Sequence, residues 1–174
     1  MPQHPIDETV PFVPVRIAVL TVSDTRDESN DTSGDTLAAR IKDAGHVLAD
    51  RALLRDDQSA IRLQLERWIA DPEVDVVIST GGTGLTGRDV TVEAFKSVFE
   101  KEIDGFSVIF HQISFEKVGT STLQSRACAG VAHPCASSAI FRTTFRRRCC
   151  SASCRSGARS RICISCCRRK SWIA

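Results

Sequence analysis

The run Val74-Asp-Val-Val-Ile-Ser79 passes without a spacer into Thr80-Gly81-Gly82-Thr83-Gly84-Leu85-Thr86-Gly87-Arg88-Asp89, and this junction constrains the fold more than any other feature of the chain. A short β-branched run reads as a buried strand. Four glycines within the next seven residues then leave a backbone whose amides few side chains cover. At the exit of a parallel strand such a loop presents N–H groups to an anion. Thr80 and Thr83 add hydroxyl donors, Arg88 can hold a phosphate, and Asp89 can hold a cation or a substrate amine. The plain alternative is a tight strand-to-helix turn with no ligand.

Two further strand–helix units precede the junction. Arg16-Ile-Ala-Val-Leu-Thr-Val22 is a β-type run suited to a buried parallel strand, with Ser23-Asp24-Thr25 as its polar exit. From Ser33 the apolar residues Leu37, Ile41 and Ala44 follow helical spacing, and Gly45 supplies the stop. A second β-type run covers His46–Leu54. Asp56 and Asp57 then stand before a helix whose face is Ile61, Leu65, Trp68 and Ile69, and Pro72 ends it. Beyond the loop, Thr91 is placed to cap a helix carrying Ala94, Phe95, Val98 and Phe99, and Phe106, Ile109, Phe110 and Ile113 form another apolar face. Threefold alternation of strand and helix predicts a three-layer α/β/α fold with a mostly parallel sheet. Ligands gather at the carboxyl ends of such strands, where Asp24, Asp56, Asp57 and the glycine loop fall together.

Gly82-Thr-Gly84-Leu-Thr-Gly87 also matches the dinucleotide pattern G-x-G-x-x-G, with Glu102 downstream. That pattern belongs after the first strand of its unit, whereas this loop follows the third, so the match is read as accidental. No Gly-Lys-Ser/Thr follows, which excludes a Walker loop. Of Asp56 and Asp57, one suffices to cap the next helix, leaving the other for a ligand or Mg2+. Asp24 and Ser33-Gly34 are recommended only by their place beside the same sheet edge. His46 and His111 lack partners at ligand spacing, and Trp68 is expected in the core.

The net charge of +2 divides unevenly. Residues 133–174 hold nine Arg and one Lys with no acid, so residues 1–132 carry −8. Seven of the eight cysteines also lie at Cys135 or beyond. Residues 1–15, with four prolines, read as an arm rather than a signal peptide, and no run is long enough to span a membrane. The expected location is cytoplasmic.

In this order, these motifs resemble the MoaB/MogA family of molybdenum-cofactor biosynthesis proteins. The likeness runs from about Arg16 to Ala132. It includes Leu20-Thr-Val-Ser-Asp24, Thr32-Ser-Gly34, Leu54-Arg-Asp-Asp57, Thr80-Gly-Gly-Thr-Gly84 with Arg88-Asp89-Val-Thr91, Glu102-Ile-Asp-Gly-Phe106 and Gly119-Thr-Ser-Thr-Leu-Gln-Ser-Arg126-Ala. The resemblance implies a molybdopterin-binding α/β domain over residues 16–132, assembled as a homotrimer or homohexamer. Its partners would be molybdopterin and ATP, with other cofactor-biosynthesis proteins, and neither membrane nor nucleic acid. In the adenylyltransferase branch AMP passes from Mg-ATP to molybdopterin, and another branch is expected to bind or scaffold the pterin without catalysis. Carried over by motif, Asp89 and Asp56 match the functional acids. Ser33, Gly34, Gly81, Gly82 and Gly84 would bind pterin phosphate or nucleotide with Thr80, Thr83, Arg88 and Asp24 beside them, and Asp57 is the candidate Mg2+ ligand.

The chain departs from the family pattern at Asp104, where proline is common, and after Ala132, where a strand and a Leu-Pro-Gly loop are expected. Residues 133–174 admit three readings. Cys150-x3-Cys154 with Cys163-x2-Cys166 has zinc-like spacing, and Arg146-Arg-Arg148 with Arg168-Arg-Lys170 suits a basic nucleic-acid tail. The absence of acids and of apolar periodicity favours the third reading, an out-of-frame, disordered segment whose loss of a core strand leaves the product inactive.

Overall fold

The computed structural model describes residues 11–27, 29–133 and 161–166. Strand β1 (Arg16–Val22) leads to helix α1 (Thr32–Asp43), β2 (Val47–Leu54), α2 (Gln58–Ala70), β3 (Val76–Thr80) and α3 (Thr91–Lys96). The short β4 (Lys101–Glu102) precedes α4 (Asp104–Val118), a 3-10 helix (Gly119–Gln124), β5 (Cys128–Ala132) and β6 (Arg161–Cys166). The six strands form one sheet in the order β2-β1-β3-β6-β5-β4. β2, β1, β3 and β6 run parallel to one another, whereas β5 is antiparallel to both β6 and β4.

Alternation along β1 builds the layers. Ala18, Leu20 and Val22 face one side and pack with Ile61, Leu65 and Trp68 of α2 and with Ala94 and Phe95 of α3. Ile17 and Val19 face the other side, where Ile41 and Leu37 of α1 cover them. Helices therefore lie on both faces of the mostly parallel sheet. Fully burying an Ile, Leu or Phe of this kind contributes roughly 1.5–3 kcal/mol. Trp68 is core, as expected, and its indole N–H donates to Asp50 at 2.8 Å. No helix among the described residues is long and apolar enough to cross a membrane.

The structure differs from the sequence-based expectation in three places. Residues 161–166, expected outside the fold with the rest of the basic tail, are the parallel neighbour of β3 and the antiparallel neighbour of β5. Without them the facing edges of β3 and β5 would carry unpaired backbone groups in the middle of the sheet. Ile162, Cys163 and Ile164 supply the apolar, β-branched composition that position needs, and Cys163 is fully buried. The zinc spacing is not supported at Cys163, whose place is the core, while Cys150 and Cys154 lie outside the described residues, as do both basic clusters. Thr91 does not cap α3: it is the first helical residue, Val90 holds the capping position without a side-chain bond, and Thr91 is buried. Finally, the apolar face expected on α4 is only partly covered, with Ile109 and Ile113 exposed and Phe106 and Phe110 half-buried, and Val108 and Phe115 outside that face are exposed as well.

Candidate functional site

Parallel pairing brings the exits of β1, β2 and β3 to one edge, with Thr21 beside Thr80 and Val22 beside Leu54. The glycine loop leaves this edge in a conformation that only glycine adopts easily. Gly81 has φ +98° and Gly82 φ +60°. A Cβ on Gly81 would lie 2.0 Å from the Val22 carbonyl oxygen. One on Gly82 would meet Thr91 Oγ1 at 2.1 Å and Asp56 Oδ1 at 2.3 Å. The loop is thus pressed onto β1 on one side and onto Asp56 and Thr91 on the other.

Three carboxylates surround it. Asp24 forms an ion pair with Arg88, and its Oδ1 accepts the Asp56 amide at 3.3 Å. Asp56 also accepts the Val90 amide, so it joins the β2 exit to the entry of α3. Burial, and then the nearby charges of Asp89 and Asp24, push the Asp56 carboxyl above its ordinary range against the pull of the Val90 amide. Asp56 Oδ1 and Thr91 Oγ1 are both buried without a hydrogen-bond partner among the described residues. At Asp89 burial also opposes ionisation, but bonds from the Thr86 hydroxyl and the Gly84 and Thr86 amides outweigh it and hold the carboxyl below its ordinary range. Two neighbouring acids are therefore driven apart, a pattern common where one carboxyl must stay anionic and another can exchange a proton.

The remaining candidates separate into two groups. Ser33 lies at the edge, where its hydroxyl accepts from Arg26 at 2.6 Å, and it lines a narrow cleft with Thr21, Ser23, Thr80 and Gly81. Thr80 and Thr83 are buried in the loop wall, and Arg88 is exposed beyond it. Gly34 is buried in the first turn of α1. Its amide donates to Asp31 at 3.0 Å, and its missing side chain makes room for Asp31, Thr21 and Arg51. Asp57 is the cap of α2, accepting the amides of Ser59 and Ala60. Among the described residues no group of three or more His, Cys, Asp or Glu side chains is placed to hold a metal. The ring nitrogens of His111 lie 2.6 and 2.9 Å from the Ser107 and Ser125 carbonyl oxygens, of which a neutral imidazole donates to one.

Three residues that sequence reasoning did not single out support the site. Asp31, 1% exposed, caps α1 and accepts from Thr21 Oγ1 and Arg51 Nη2, both at 2.7 Å. Arg26 reaches Ser33 across the cleft. Arg126 holds the far side of the loop, beside a depression of about 340 Å³ lined by Leu85, Thr86, Gly87, Asp89, Val90 and Glu93. The Asp-Thr-Ser-Gly run at Asp31 was a legible capping signal, whereas Arg26 acts within its own loop and Arg126 across more than thirty residues, and no local pattern marks either.

A glycine loop flanked by carboxylates at the carboxyl edge of a three-layer sheet is where α/β domains of this class gather their ligands. The family model described as "Probable molybdopterin binding domain" matches residues 18–146, and the chain belongs to that family. It is 51% identical over 122 residues to molybdenum cofactor biosynthesis protein B of Escherichia coli (strain K12), covering 70% of this chain and 72% of that protein. The protein of the same name from Bacillus subtilis (strain 168) is 40% identical over 118 residues, covering 67% and 69%. Among solved structures, a molybdenum cofactor biosynthesis protein B superposes with a TM-score of 0.72 at 32% identity over 91% of this chain and 83% of that one. The tungsten cofactor synthesizing protein MoaB from Pyrococcus furiosus superposes with a TM-score of 0.69 at 27% identity, covering 92% and 86%.

Proposed function

We propose that this protein acts in molybdenum cofactor biosynthesis by binding molybdopterin at the glycine loop and transferring AMP to it from Mg-ATP. The observation that carries the reading is the backbone at Gly81 and Gly82, whose positive φ values turn a loop with little side-chain cover toward the sheet edge. Amides held in this way suit phosphate oxygens. In the transfer, a terminal phosphate oxygen of molybdopterin attacks the α-phosphorus of ATP. A new P–O–P bond forms, the bond to the β-phosphate breaks, and pyrophosphate leaves.

The chain's contribution is orientation and charge placement. Arg88 and the loop amides offset phosphate charge. Asp89, whose carboxyl is held below its ordinary range, suits the cation that travels with ATP, and Asp56, buried against Gly82 and bonded to the Val90 amide, positions the loop. Because Asp57 caps α2, Mg2+ enters with the nucleotide rather than in a cage of protein carboxylates. The cytoplasm is the compartment this reading requires, since Mg-ATP is a substrate. Self-association through the uncovered apolar stripe of α4 accompanies the reading, because a helix exposing Val108, Ile109, Ile113 and Phe115 gains by burying them against a second copy.

Incubation with molybdopterin and Mg-ATP is expected to yield adenylylated molybdopterin and pyrophosphate. Asp89→Asn is expected to lower turnover at least a hundredfold while the melting temperature stays within a few degrees. Unchanged turnover in that variant would remove Asp89 from the reaction. Retention of the pterin without any adduct would make the protein a binder or scaffold instead.

A further inference from the structure

Arg126 lies between the 3-10 helix and β5, more than thirty residues from everything it holds. Its main-chain amide donates to the Thr83 carbonyl at 3.0 Å. Its Nε donates to the Gly84 carbonyl at 2.8 Å and its Nη2 to the Asp89 carbonyl at 2.6 Å. Its Nη1 forms an ion pair with Glu93 in the first turn of α3. One planar guanidinium thus ties the start of the loop at Gly84 to its end at Asp89 and both to the following helix, while the Arg126 main-chain amide holds Thr83. The segment between these anchors carries the exposed Leu85 and Arg88 and has no other long-range hydrogen bond beyond the Arg88–Asp24 pair among those described.

From this geometry we infer that Arg126 is a positioning residue, which fixes the spacing of Gly84 and Asp89 so that the loop amides and the Asp89 carboxylate meet the ligand together. The inference rests on the proposed ligand site. Lysine cannot replace arginine here, because a single ammonium lacks the fixed fork of donors that spans two carbonyls and a carboxylate. The chemistry is local to the loop: the core residues of β1 and β3 make none of these bonds, so loosening the clamp leaves the sheet intact. At Glu93 burial opposes ionisation, yet the Arg126 hydrogen bond, the residue's own main-chain amide and the Arg126 charge outweigh it and hold the carboxyl below its ordinary range.

Amide hydrogen exchange and equilibrium binding of molybdopterin should be measured on the full chain and on Arg126→Ala, Arg126→Lys and Glu93→Gln. Exchange at residues 84–90 is expected to rise at least tenfold in both Arg126 variants, with residues 17–22 unchanged. Molybdopterin affinity should fall at least tenfold in Arg126→Ala. Arg126→Lys should recover only part of that loss, and ethylguanidinium added to the Ala variant should restore more. Glu93→Gln, which keeps the bonds to both carbonyls, should change affinity less than threefold. Wild-type exchange in residues 84–90 of Arg126→Lys would overturn the inference, even if Arg126→Ala fails to fold, and so would unchanged affinity in a folded Arg126→Ala. A wild-type protein that binds no molybdopterin would defeat the proposed function, while the exchange comparison would still decide whether Arg126 holds the loop.

Discussion

Strands β2, β1 and β3 run parallel and draw their core from a continuous stretch of chain, with α1 covering one face and α2 and α3 the other. On the other side of β3, by contrast, the strand order runs against chain order, the sheet turns antiparallel beyond β6, and α4 leaves much of its apolar surface uncovered. The first half makes the ligand edge from local strand–helix units. The second half depends on β6, a strand contributed by a distant and strongly basic segment. The contrast teaches that the site and the completeness of the sheet have separate origins in the sequence: Asp24, Asp56 and the glycine loop belong to the first half, and Arg126 reaches over from the second.

Cys163→Asp is the harshest test of this division. The residue is fully buried between β3 and β5, so an unpaired carboxylate there should cost at least about 3 kcal/mol. Urea denaturation would register that loss, whereas an unchanged midpoint would return residues 161–166 to the tail and leave β3 as an edge. Asp31→Asn probes the first half. Bonds from Gly34, Thr21 and Arg51 overcome the burial of Asp31 and hold its carboxyl below 3.8. Its stabilisation is therefore complete above the ordinary carboxylate pKa and is lost as pH falls through the depressed folded-state value. The variant should be about 2–3 kcal/mol less stable at pH 7, and its deficit should shrink below pH 4. A deficit independent of pH would mean that packing, not charge, sets the contribution. Asp57→Ala should cost only about 1 kcal/mol, the value of one helix cap, without altering ligand binding. A large loss of binding at unchanged stability would restore Asp57 to the site.

The same two halves explain what could be read in advance. β1, α1, α2 and the loop were legible because each carries its own signal: an apolar run, helical spacing, a cap or a glycine cluster. The approximate meeting of Asp24, Asp56 and Asp89 followed from the rule that parallel strands gather their exits at one edge. The roles of Gly34 and Asp57 were not separable from ligand binding by sequence, since a glycine that admits a buried carboxylate looks like one that admits a phosphate. β6 was illegible for a different reason. Its short apolar centre, Ile162-Cys-Ile164, sits among arginines and serines, and its partners β3 and β5 are fixed only in three dimensions. Arg126 was missed because its partners lie more than thirty residues away in the chain, and Arg26 because the fold of its own loop, not a spacing pattern, brings it to Ser33.

The central claim is that molybdopterin is held by the backbone of the glycine loop. Its most direct test is amide hydrogen exchange on the full chain with and without saturating molybdopterin. The account predicts slowed exchange at residues 81–89, with residues 128–132 of β5 unaffected. Protection confined to another surface, or no protection at the loop when the pterin is bound, would contradict it.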